Sequence, residues 1–360
     1  MAADLAASAI AGRRVLTSFG ARAWIAATVG LSVAAVTAAI MLAPPVSARP
    51  PEALAFLLFV GSSVHVASTG WFYTVPEVRA HMRKHRARYV WWPLALIAGA
   101  GAIALLASRS ALNWLLLPYF GWQFFHYQKQ NLGIAALAAV SLRITPLRKA
   151  ERRALTGSGI AGIAGLLSRP TLLQVPDRPM LAPLFPVAAL AFVAFVVVGA
   201  CCLLSRSRGQ RPAGFCACYV LSLGFTLPVF VFSSPYAAVA GLTIAHGFQY
   251  LLLMTLVAAG GAGRRRPLQQ TANLALLCNV ALLGGAALSM MSDQASATPA
   301  VRVLFGVFLG AVMAHFVIDA GLWRMREEFP RSFLQARLPY LVPTSDPAVT
   351  LRPPMDRFPI

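Results

Sequence analysis

The chain has 360 residues, of which 58% are hydrophobic and only 12% charged, and its mean hydropathy is +0.68. Soluble domains carry about 25% charged residues, so this composition excludes an aqueous globular enzyme and indicates an integral membrane protein with about 20 apolar residues per span. The 31 Lys and Arg against 11 Asp and Glu give a net charge of +20, which in a soluble protein would suggest nucleic acid; in so apolar a chain it reads as basic cytoplasmic loops, and no nucleic-acid partner is expected.

Apolar windows fall at about 24–43, 53–74, 90–107, 111–142, 184–204, 213–232, 236–259, 271–291 and 300–323. They predict nine clear helices. The first follows Arg13, Arg14 and Arg22 and precedes Val46-Ser47-Ala48, which resembles a signal-peptide cleavage site. Its apolar run is too long for a signal sequence, so it reads as an anchor. Basic clusters follow at Arg79 to Arg88, Arg143 to Arg153, Arg206 to Arg211 and Arg264 to Arg266, and in the tail from Arg324. If all face the cytoplasm, the chain must cross once more before 184, and the only candidate is 154–173, with Gly157, Gly159, Gly162 and Gly165. Its short apolar core suggests a tilted, broken or re-entrant element.

The expected fold is therefore all-α: a polytopic transmembrane helix bundle of about ten spans, nine clear and one short or broken. Residues 1–323 form the membrane domain and 324–360 a cytoplasmic tail near anionic headgroups. The expected location is the bacterial inner membrane, with both termini cytoplasmic. Trp71, Tyr73, Tyr89, Trp91 and Trp92 read as an interfacial aromatic belt. Cys201, Cys202, Cys216, Cys218 and Cys278 lie in or beside apolar runs and read as small buried hydrophobes.

Ionisable groups inside a bilayer are expensive and mark ion paths, proton relays or cofactors. Four of the six histidines are intramembrane: His65, His126, His246 and His315, each on a different helix. With the orientation above, all four helices run inward and place the imidazoles ~15–23 Å below the outer surface, in one layer. One turn further along stand Thr69 after His65, Lys129 and Gln130 after His126, Gln249 and Tyr250 after His246, and Asp319 after His315. Ligand histidines need such partners to fix ring orientation and tautomer. The same pairs would also satisfy histidines that only hydrogen bond between helices, so packing is the bland alternative.

The resulting candidate set is His65, His126, His246 and His315 as metal ligands, Thr69, Gln130 and Gln249 as supporting cofactor-site residues, and Asp319, Lys129 and Tyr250 as groups that handle protons. An all-imidazole shell without thiolate tilts the metal toward redox iron. His81 and His85 have the HxxxH spacing, but Arg79, Arg83, Lys84, Arg86 and Arg88 around them would repel a cation, so they read as a headgroup-facing loop. Arg324, Arg326, Glu327 and Glu328 read as a solvated helix end.

Four intramembrane histidines in a polytopic chain resemble the bacterial membrane β-carotene dioxygenase family. The resemblance implies that these four residues hold a non-haem iron that cleaves a polyene with O₂, and that an apolar tunnel admits lipid. In that family two ligands lie close together on one helix, whereas here the four are on separate helices. The HF-x2-DA-x2-WR stretch at 315–324 and the H-x3-Q-x2-G stretch at 126–133 resemble segments of uncharacterised bacterial membrane proteins. The leading expectation is an iron oxidoreductase or oxygenase acting on an isoprenoid or acyl lipid, with membrane lipid as its surroundings and an unidentified electron donor. Alternatives are a b-type haem electron-transfer protein, with opposed histidines as axial ligands, and a transporter using His126, Lys129 and Asp319 as a proton relay. A parallel repeat of spans 1–4 and 7–10 would also explain why all four histidines descend alike.

Overall fold

The computed structural model describes residues 2–45, 49–260, 267–292 and 298–342, with side chains from Gly20 onward. Val46 to Ala48, Arg264 to Arg266, the side chains of Arg13 and Arg14 and the tail beyond 342 lie outside the described residues. Within them the chain is helical and contains no strand.

Helix α1 spans Ala2–Met41. The second apolar run is continuous but changes pitch: α2 (Glu52–Phe59), a π-turn over Val60–Val64, α3 (His65–Ser68) and a 3-10 turn over Thr69–Thr74. Next come α4 (Pro76–Lys84), a second π-turn (Ala87–Trp91) and α5 (Trp92–Leu106). Helix α6 (Arg109–Ser141) is capped by Ser108 Oγ, which accepts from the Ala111 amide at 3.1 Å. It is followed by α7 (Lys149–Leu167), α8 (Leu184–Leu204), α9 (Ala213–Leu223) and α10 (Leu227–Val231). A third π-turn (Tyr236–Ala240) leads into α11 (Gly241–Ala259), and α12 (Pro267–Met291), α13 (Pro299–Leu322) and α14 (Glu328–Arg337) complete the order.

Seven stretches are long and apolar enough to cross a membrane: Gly20–Met41, Glu52–Thr74, Ala87–Leu106, Pro179–Leu204, Tyr236–Ala259, Pro267–Met291 and Pro299–Leu322. The other three expected spans differ for identifiable reasons. Helix α6 has the length, but Gln123, Gln128, Lys129, Gln130 and Asn131 dilute its apolar character. The 213–232 window is not one helix: the chain turns at Gly224 to Thr226 between α9 and α10, where Pro228 supplies no amide to continue the ladder. The 154–173 candidate is the opposite case. Helix α7 runs unbroken for 19 residues, and its glycines admit Phe195, Gln128, Thr226 and Phe230 from neighbouring elements.

The bundle's outside is apolar: Leu190, Leu283 and Val187 are 72%, 70% and 66% exposed, as expected for surfaces that face lipid. Inside, close approaches replace large side chains. A Cβ on Gly310 would meet Ile97 Cα at 2.5 Å, and one on Gly306 would meet Gly101 Cα at 2.8 Å, so α13 packs backbone to backbone on α5, as small residues permit in membranes. Likewise a Cβ on Gly61 would meet Ile244 Cα at 2.6 Å, and Gly247 faces the Gly61 carbonyl. This contact joins the π-turn before His65 to α11 at the level of His246.

Two expectations about surface residues need correction. Trp71 and Tyr89 are fully buried; only Tyr73, Trp91 and Trp92 are exposed as belt residues would be. Of the five cysteines, all unpaired, Cys218 is buried while Cys201 and Cys278 are exposed on helix surfaces. The tail also differs from a loose extension as far as residue 342. Helix α14 buries Phe333 and Leu334 in the main hydrophobic cluster, together with Leu338, Leu341 and Val342. Its Arg337 donates to Glu77 on α4 and to the Val257 carbonyl at the end of α11.

Candidate metal centre

The four intramembrane histidines meet. His65 (α3) and His246 (α11) have ring centroids 5.0 Å apart, His65 and His315 (α13) 5.1 Å, His126 (α6) and His246 5.1 Å, and His126 and His315 5.2 Å. Neighbouring rings cross at 70–88°. Imidazoles bound ~2.1 Å from a common tetrahedral ion would have centroids roughly 5 Å apart. His65, His246 and His315 are 3%, 0% and 2% exposed, while the His126 side chain is 12% exposed.

Local sequence explains how the rings are aimed. The π-turn over Val60–Val64 immediately precedes His65, and such wide turns re-aim the residues that follow them. Tyr127 stacks on His246 with centroids 4.0 Å apart, and Phe316 stacks on His126 at 4.5 Å. Each aromatic neighbours another histidine in sequence, so adjacent residues on one helix serve the centre from two sides.

Six ring nitrogens are buried without a hydrogen-bond partner: both of His65, both of His246, and Nε2 of His126 and of His315. Each unpaired buried polar atom costs roughly 1–3 kcal/mol, a cost that coordination would remove from each nitrogen that binds an ion. The atoms able to ligate form two overlapping groups, each with all members within 4.8 Å of one another: His65, His246 and His315; and His126, His315 and Asp319.

The partners of His315 fix its tautomer. The Tyr250 hydroxyl donates to Asp319 Oδ1 at 2.9 Å. Its one proton is then used, so its 2.9 Å contact with Thr69 requires Thr69 to donate. The 2.6 Å contact between Thr69 Oγ1 and His315 Nδ1 is satisfied only if His315 donates from Nδ1. Nε2 is left with a bare lone pair, 3.5 Å from Asp319 Oδ2, as a metal ligand requires.

The sequence-derived partners divide accordingly. Tyr250, Asp319 and Thr69 belong to the centre, although Thr69 serves His315 rather than His65 on its own run. Gln130 and Gln249 do not reach an imidazole nitrogen. Gln130 Nε2 donates to the His246 carbonyl and to Gln249 Oε1, both at 2.9 Å, and Gln249 Nε2 donates to Ser32 on α1 at 2.8 Å. They brace the helices behind the ligands. Lys129 is exposed, its ammonium 5.6 Å from the Phe125 ring centroid, and does not pair with Asp319. No family model matches the chain, and comparison with curated proteins and with solved structures finds nothing similar.

A cavity of about 750 Å³ runs from the level of helix ends, at Pro50, Pro235 and Ser292, to His65. Leu116, Tyr119, Phe120, Phe305 and Phe308 line it, with polar groups at Ser63, Gln123 and Thr243. Its size is that of sites for organic ligands. Composition alone did not single out Thr243, although it stands one turn before His246. Nor did it reveal the Gly61 and Gly247 contact, whose signal is a glycine beside each histidine-bearing segment.

The expected loop around His81 and His85 is helical instead: they lie in and at the end of α4, 4.6 Å apart by ring centroid. Neither belongs to a group able to hold a metal among the described residues. His81 stacks on Phe329 at 4.1 Å, and burial together with neighbouring His85 holds its pKa below the ordinary histidine value. Arg324 pairs with Glu327 at 2.9 Å in the turn between α13 and α14.

Proposed function

We propose that this chain is a multi-pass membrane metalloprotein whose histidine layer holds a redox iron ion acting on an apolar lipid or isoprenoid. The observation that carries this reading is the set of six unpartnered imidazole nitrogens converging from four helices in the bundle's interior. Iron, when bound, would supply redox chemistry with O₂. The chain's own contribution is to present bare nitrogens, to exclude water by burying three of the rings, and to hold the proton chain from Asp319 through Tyr250 and Thr69 to His315. The cavity that ends at His65, with aromatic and aliphatic walls interrupted by Ser63, Gln123 and Thr243, supports a largely apolar substrate that carries a polar group, in keeping with the resemblance to membrane β-carotene dioxygenases.

A bare ion fits better than haem b. Two axial imidazoles on a haem place their centroids roughly 6 Å apart with a porphyrin between them. Here adjacent rings are closer and crossed, and the Gly61–Gly247 contact closes the space between their helices. A proton-relay transporter loses support because Lys129 is turned away from Asp319.

The remaining topology belongs to the same proposal: ten crossings of the bacterial inner membrane, with α6, α7 and the α9–α10 pair completing the seven apolar spans and both termini cytoplasmic. The test is metal analysis and an absorption spectrum of detergent-purified protein, followed by O₂ consumption with a polyene. About one iron per chain, no Soret band and substrate-dependent O₂ uptake are expected. A Soret band or a metal-free protein that resists reconstitution overturns the assignment.

A further inference from the structure

The histidines form a rhombus, and its two ends are unlike. His315 belongs to both ligand-capable groups, whereas His65 and His246 belong to one and His126, with Asp319, to the other. Both groups cannot be filled at once. His315 belongs to both, and with Nδ1 bonded to Thr69 its single free nitrogen, Nε2, can serve only one ion. One ion must occupy one end.

Three features favour the His65 end. Its three rings are at most 3% exposed. His65 and His246 have both nitrogens unpaired, and the hydrogen-bond chain from Asp319 leaves Nε2 of His315 bare. At the other end the His126 side chain is 12% exposed, and only one further imidazole, that of His315, joins it.

We infer that the ion is held by His65, His246 and His315, and that its fourth position opens toward the His126–Asp319 pair and takes a small diatomic or anionic ligand. Three protein ligands and one open position characterise catalytic rather than structural metal sites. His126 is then a positioning residue that hydrogen bonds the exogenous ligand. This rests on the metal-centre reading above and deepens it.

The test uses full-length protein in detergent, loaded with Co(II), with azide as the exogenous probe. Wild type should bind one Co(II), and azide should change its visible spectrum. His126→Gln should keep one Co(II) but bind azide at least about 10-fold more weakly, whereas His65→Ala, His246→Ala and His315→Ala should lose the metal while remaining monodisperse. Loss of Co(II) in His126→Gln as complete as in the other three would establish a four-ligand shell and overturn the inference. So would two Co(II) per chain, or a wild-type spectrum indifferent to azide, a measurement that needs no variant to fold. Wild type that binds no metal overturns the metal-centre reading itself.

Discussion

Thr69 connects two roles through one hydroxyl: it accepts from His315 and donates to Tyr250. Thr69→Val removes both bonds while keeping the volume, and should weaken metal affinity by about 10–100-fold, measured by competition with a chromophoric chelator. Thr69→Ser should restore most of it; equal loss in both variants would mean that the methyl group, not the hydroxyl, matters. The histidine layer itself was legible in the sequence because ionisable residues are rare in apolar helices, so four at one depth stand out. Their partners were only half legible. Looking one turn along the same helix finds Asp319 for His315, but cannot know that Thr69 reaches across to another helix, or that Gln130 and Gln249 turn toward each other.

Among elements, the loops around α7 and α8 are tied by a buried ion cluster. Glu151, fully buried, accepts from Arg206 at 2.6 and 2.7 Å and from Arg148 at 2.9 Å. Burial alone would lift the Glu151 carboxyl, but these hydrogen bonds hold its pKa below the ordinary value. A depressed folded-state pKa means that this stabilisation is present at neutral pH and disappears as pH falls through that value, below the usual carboxylate range. Glu151→Gln leaves Arg206 buried without a counter-charge and should cost about 3–5 kcal/mol, seen as a lower Tm in detergent and a flatter acid limb of the Tm profile. Gly61→Ala should cost roughly 1–3 kcal/mol through overpacking against α11 and lower metal affinity, whereas Gly30→Ala, with open space around it, should do neither. The windows identified most helices because a bilayer demands long apolar runs. They misjudged α7, whose glycines lower its apolar signal while allowing close packing, and 213–232, where apolar content is continuous but Gly224 and Pro228 break the backbone.

For the whole molecule, the ten-crossing proposal places the cavity mouth and the basic loops on opposite sides. Single cysteines introduced at Arg83 and at Gln174, in a background lacking the five native ones, should react with a membrane-impermeant maleimide from opposite faces: position 174 in intact cells, and position 83 only after lysis. Labelling of both in intact cells would require the odd number of crossings between them to be redrawn as even. The proposed sidedness rests on charge asymmetry, which a sequence displays directly; the cavity was not legible, because it is walled by residues from elements far apart in sequence. The π-turn before His65 has a further consequence. A wide turn already absorbs one surplus residue, so inserting a second beside Ser62 would exceed what it can take up and swing everything upstream and downstream by about 100° relative to each other. His65 would survive as a residue yet point elsewhere; the centre is specified by a count of amino acids as much as by their identity.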